Sequence, residues 1–81
     1  MVDIELVPHF QKVLSKTDFA LREKILKQID KLRNNPETGK PMKHSRRGTR
    51  ELYIKPFRLS YAYIKEENKI LLLDIYHKDE Q

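Results

Sequence analysis

Between positions 40 and 58 the chain carries seven Lys/Arg residues and a single acidic one, Glu51. Residues 1–39 carry seven against six, and residues 59–81 three against five, so the net charge of +5 is concentrated in one stretch. Lys43, Arg46, Arg47, Arg50, Lys55 and Arg58 come together if this stretch folds from a loop into paired strands, and a folded surface that gathers cations suits a polyanion. His77 and Lys78 follow at the end of the last expected strand. These residue types match the needs of RNA cleavage without a metal. A proton must leave the 2′-hydroxyl, extra negative charge must be stabilised on a pentavalent phosphorane, and the departing 5′-oxygen must be protonated. Arg58 and Arg50 suit the second task, because a guanidinium donates a planar fork to phosphate oxygens and stays charged. His77 suits the proton steps, since a free imidazole titrates near ~6.5. Glu51 and Lys55 are second choices for the base, a lysine serving only where neighbouring cations depress its pKa.

Other chemistries find little support. With no cysteine there is neither a disulfide framework nor a thiolate metal site, and a reducing cytoplasmic setting is expected. His9, His44 and His77 lack metal-ligand spacing, so no metal and no cofactor is expected. The longest apolar run, Ile70 to Leu73, is far below the ~18 residues of a membrane span, and the VDIELV start has neither a basic n-region nor an apolar h-region, so no membrane role is expected. Tyr61 and Tyr63 read as core at period-2 spacing, whereas Tyr53 has the opposite parity and is the ring to test for stacking on RNA. Lys24, Lys27, Lys31 and Arg33, interleaved with Glu23 and Asp30, read as the solvated face of a helix.

The elements that must position these residues follow from periodicity. At 81 residues the chain reads as one domain, 1–81, with a single modest core. Val2, Ile4 and Leu6 alternate with Asp3 and Glu5, giving a strand that ends at Pro8. Phe10, Val13 and Leu14 recur at helical spacing up to Ser15–Asp18, where Thr17 or Asp18 caps a second helix. That helix carries the stripe Leu21, Ile25, Ile29 and Leu32, widened by Leu26, and ends at Asn34-Asn35-Pro36. Leu52 and Ile54 then alternate with Glu51, Tyr53 and Lys55, Pro56 turns the chain into a strand over 57–64, and KEEN turns it again into a strand over 70–76. The fold class is α+β: an N-terminal strand, a helical hairpin and a three-stranded antiparallel meander, with the helices on one face of a small twisted sheet. Strand alternation sends Tyr53, Lys55, Arg58 and Ser60 to the open face, with Lys55 and Arg58 meeting across the hairpin and His77 at the edge.

Three short signals in this order resemble one family: GKPMKH before the sheet, Phe57-Arg58-Leu59 with Tyr61 in LYIKPFRLSYAYI, and Tyr76-His77-Lys78 in LLLDIYHKD. Together they are similar to RelE/ParE-superfamily toxins of toxin-antitoxin modules, over nearly the whole chain. The resemblance implies a RelE-like domain acting as a metal-independent, ribosome-dependent endoribonuclease (an mRNA interferase), which inhibits translation and is held inactive by a cognate RelB-like antitoxin. It implies that Arg58 contacts the scissile phosphate with Lys55 opposite it. Tyr53 falls where some members carry a further basic residue. His77 resembles the general acid of the YoeB-like branch, and Lys78 is the alternative counterpart of the basic residues in RelE-type members. Lys43, His44, Arg46, Arg47, Arg50 and Tyr53 are then the expected substrate-binding set, and ribosome and mRNA the expected partners. The other function class is a non-enzymatic one: a ParE-like toxin that inhibits DNA gyrase by protein contact, or a nucleic-acid-binding module.

Overall fold

A computed structural model describes residues 2–80. Strand β1 (Asp3–Leu6) leads into helices α1 (Pro8–Ser15) and α2 (Phe19–Asn34), then β2 (Lys40–Pro41), β3 (Arg50–Ile54), β4 (Phe57–Ile64) and β5 (Lys69–His77). Pro8 opens α1 at the position where a missing N–H costs nothing. Asp18 caps α2 by accepting the Leu21 N–H at 2.8 Å, while the Thr17 hydroxyl instead donates to the Leu14 carbonyl. At the far end the Asn35 N–H reaches the Lys31 carbonyl, and Pro36 follows.

The strands form one sheet in the order β1-β5-β4-β3-β2, with β1 parallel to β5 and every other pair antiparallel. The expected α+β layout holds, and β2 is an addition: a two-residue edge that pairs Lys40 with Glu51 and Pro41 with Arg50. Phe10, Ile25, Ile29 and Leu32 from the helices bury against Leu52, Ile54, Leu59, Tyr61, Ile70, Leu72 and Ile75 of the sheet. At ~1.5–3 kcal/mol for each large apolar side chain removed from water, this single face carries most of the favourable folding free energy. His9 ties α1 to the sheet, its Nε2 lying 2.9 Å from Asp74 Oδ1.

Two features of register decide what reaches the open face. The β3–β4 hairpin closes through a two-residue turn, Lys55–Pro56, so Tyr53 pairs with Arg58 and Ile54 with Phe57. Lys55 therefore lies in the turn, and the expected Lys55–Arg58 cross-strand pair is replaced by Tyr53–Arg58. Between β4 and β5 the register slips: Ser60 pairs with Asp74 and Tyr61 with Leu72, leaving Leu73 as the extra residue of a β-bulge. Ile70 and Leu72 face the helices before the bulge and Ile75 faces them after it, so the bulge exchanges the faces of the last residues of the strand. Tyr76, partnered with Arg58, goes to the open face, and His77, partnered with Phe57, goes to the helix side.

Candidate nucleic-acid cleft on the open face

Arg58 stands at the centre of the open face, flanked by Tyr53 on β3 and Tyr76 on β5. Its guanidinium carbon lies 6.0 Å from the Tyr53 ring centroid, at the outer limit of a cation–π contact. Its Nη1 donates to Glu51 Oε1 at 3.3 Å, and its Nε is buried with no hydrogen-bond partner among the described residues. Glu51 is the hub. Its side chain is 4% exposed, and its second oxygen accepts from Arg46 Nη1 at 3.0 Å. The same Arg46 nitrogen donates to the Tyr76 hydroxyl at 2.6 Å, and the guanidinium sits 5.3 Å from the Tyr76 ring centroid. Arg46 comes from a single 3-10 turn, His44–Arg46, whose end is fixed by the Thr49 hydroxyl and N–H, both donating to the Arg46 carbonyl. One arginine thus docks the 42–49 loop onto the sheet.

Beside this network lies an open cleft of about 590 Å³, with Lys40, Tyr53, Arg58 and Lys78 on its walls and Glu51 in its lining. Lys40 reaches it because β2 pairs that residue with Glu51 and so gives it the open-face parity. Lys78 reaches it from the first position beyond β5, where its N–H donates to the Pro56 carbonyl. The wall therefore presents ammonium and guanidinium donors around a half-exposed aromatic ring, which is the chemistry that holds a single-stranded phosphodiester and one of its bases.

The family described as "ParE toxin of type II toxin-antitoxin system, parDE" matches residues 4–81. The chain belongs to that family. It is a toxin of a type II toxin-antitoxin module in the RelE/ParE superfamily. Solved toxins of this kind share its fold at low sequence identity. The toxin-antitoxin complex RelBE2 from Mycobacterium tuberculosis aligns with a TM-score of 0.86 at 19% identity, covering 95% of this chain and 98% of the other. The isolated E. coli RelE toxin aligns at 0.81 and 16%, covering 95% and 84%. A YoeB/ParE toxin from Agrobacterium tumefaciens aligns at 0.81 and 15%, covering 94% and 98%. No curated protein sequence matches the chain significantly.

The toxin brings together only part of the residue set expected from its sequence. Arg58, Arg46, Tyr53 and Lys78 share the open face or its cleft, and Lys40, Tyr76 and the structural use of Glu51 are additions to that set. Lys40 and Tyr76 stand inside the GKPMKH and Tyr76-His77-Lys78 signals, and membership of those signals was the clue to both, since the pairings with Glu51 and Arg58 that set their faces depend on β2 and on the bulge. Glu51, a second choice for the base, is buried, with each carboxylate oxygen bonded to an arginine. Lys43, His44 and Arg47 line, with Met42, a separate hollow of about 390 Å³ on the docked loop. Lys55 stays in its turn outside the cleft. His77 meets Phe57 edge-to-face at 5.5 Å, with its Nδ1 3.5 Å from Asp79 Oδ2, on the side away from Arg58.

Arg50 serves the scaffold. It shares the helix-side parity of Leu52 and Ile54, and its Nη1 donates to the Glu37 and Gly39 carbonyls at 3.1 and 2.8 Å. Tyr61 completes this clamp: its hydroxyl donates to the Pro36 carbonyl and accepts the Gly39 N–H, both at 2.8 Å. Burial pushes the Tyr61 phenol above the ordinary tyrosine range, opposed by the Gly39 hydrogen bond and the nearby Arg50. A Cβ at Gly39 would sit 2.6 Å from the Tyr61 ring edge and hydroxyl, so only glycine admits this approach. The clamp ties residues 36–39 to the sheet immediately before Lys40, which lines the cleft.

Proposed function

We propose that this toxin is a metal-independent endoribonuclease that cleaves mRNA on the ribosome and so inhibits translation. The observation that carries the reading is Arg58 standing in an open cleft with Lys40, Lys78 and an exposed tyrosine ring around it. In this reading the 2′-hydroxyl gives its proton to water as its oxygen attacks, and Arg58 offsets the charge that builds on the phosphorane. Lys78 protonates the departing 5′-oxygen, a task the sequence divides between it and His77, and the location of Lys78 in the cleft favours it. Lys40 and Arg46 hold flanking phosphates, and Tyr53 stacks on a base. Lys43, His44 and Arg47, which line a separate hollow on the docked loop, take no phosphate in this reading. So shallow a cleft positions substrate poorly by itself, and the ribosome supplies the orientation.

The cognate antitoxin in this reading is a RelB-like chain that sets acidic residues against the basic face, as befits a toxin whose structural relatives include RelBE complexes. The setting is cytoplasmic, and among the described residues no helix is long and apolar enough to cross a membrane. A second reading, gyrase inhibition by protein contact, draws on the ParE description of the family and on His77 facing away from Arg58. One experiment separates the two. Purified toxin is added to ribosomes translating a reporter mRNA and the new 5′ ends are mapped, while a parallel reaction follows gyrase supercoiling. Discrete ribosome-dependent ends with supercoiling intact support the nuclease. Intact mRNA with blocked supercoiling supports the gyrase inhibitor.

A further inference from the structure

We propose that Glu51 is a positioning residue for Arg58, trading RNA affinity for a fixed guanidinium orientation; this rests on the ribonuclease reading above. A carboxylate in the middle of a cationic face weakens the attraction for RNA, and a buried one is unfavourable unless it is paired on every side. Glu51 nonetheless occupies the face with its side chain 4% exposed, and it is the one buried polar or charged residue among the described residues. Each carboxylate oxygen takes a different arginine, Oε1 from Arg58 and Oε2 from Arg46, and Arg46 is in turn held by the Tyr76 hydroxyl. The carboxylate is therefore braced from the loop side and grips Arg58 from the sheet side.

The geometry at Arg58 shows what the grip accomplishes. Nε is sealed without a partner among the described residues, and Nη1 is taken by Glu51, so the guanidinium is held by one corner in the wall of the cleft. Tyr53 limits the swing on one side through its ring. An arginine held in this way meets a phosphate in one orientation and gives up no rotamer freedom when charge develops. Without Glu51 the face would bind RNA more strongly and the arginine would lose its fixed aim.

The test compares wild type, Glu51→Gln and Glu51→Asp in three measurements: RNA affinity, single-turnover cleavage on ribosomes at saturating toxin, and solvent exchange of the Arg58 Nε–H by NMR. Glu51→Gln should bind RNA several-fold more tightly yet cleave about 10²-fold more slowly, with faster Nε–H exchange. Glu51→Asp keeps the charge but retracts the carboxylate, so it should leave affinity unchanged and still slow cleavage. A residue that merely holds the fold would lower affinity and rate together, and a bulk charge would raise both. Wild-type cleavage and exchange rates in Glu51→Gln overturn the proposal. If wild-type toxin cleaves no mRNA while Glu51→Gln still speeds Nε–H exchange, the ribonuclease reading falls and the positioning of Arg58 stands.

Discussion

Raising salt from about 50 to about 200 mM should weaken binding of the toxin to single-stranded RNA roughly 50-fold, because each phosphate neutralised on a single strand contributes about −0.7 to the slope of log K against log salt. The structure sets the count. Lys40, Arg46, Arg58 and Lys78 share the cleft face, which gives a slope of about −2.8. Counting all seven Lys/Arg of residues 40–58 would instead give about −4.9 and a loss approaching ~10³-fold over the same range. The two arginines of β3 and β4 sharpen the comparison. Arg58→Ala should flatten the slope by about 0.7, while Arg50→Ala should leave it unchanged and lower stability, since Arg50 spends its donors on the Glu37 and Gly39 carbonyls. Fluorescence anisotropy on a labelled RNA oligonucleotide across a salt series, with thermal unfolding of each variant, reads both effects. A flat salt dependence would refute the electrostatic argument, and equal slope changes in the two variants would refute the assignment of Arg50 to the scaffold.

Tyr61→Phe removes a donor to the Pro36 carbonyl and an acceptor for the buried Gly39 N–H, and should cost about 2–4 kcal/mol of stability in urea unfolding, a large share for a domain this small. The raised Tyr61 pKa has a pH signature as well: its contribution to stability is complete below the unfolded value of 10.0 and is lost as pH rises through the folded value, so wild type should show an alkaline decline in stability that Tyr61→Phe flattens. Lys78→Met should reduce ribosome-dependent cleavage about 10²-fold, and His77→Gln by much less, as single-turnover rates will show; the opposite ranking would return the proton step to the imidazole.

Much of the fold was legible because long elements repeat their periodicity. The stripe Leu21, Ile25, Ile29 and Leu32 recurs over about three turns of α2, and the alternation of Leu59, Tyr61 and Tyr63 fixes the faces of β4. β2 was not legible, because two residues have no period. The bulge was hidden for a different reason: it falls in Leu71-Leu72-Leu73, where identical residue types leave no alternation for a slipped register to break. That one hidden residue moved His77 to the helix side and Tyr76 to the open face. Lys55 was misplaced by the tightness of its turn, which ends β3 one residue earlier than the alternation suggests. At Arg50 and Glu51 residue type pulled against position. The parity of Arg50 with Leu52 and Ile54 pointed to the helix side, and a lone acid among cations is better paired beneath them than used beside them.

The central claim, that Arg58 stabilises charge at a phosphate undergoing cleavage, is tested most directly by the single-turnover rate of ribosome-bound mRNA cleavage for wild type, Arg58→Ala and Arg58→Lys, each shown to be folded. Removing the guanidinium should lower the rate constant by about 10²–10³-fold, and lysine should restore little of it, because it keeps the charge and loses the fork. Cleavage by Arg58→Ala at the wild-type rate would contradict the account.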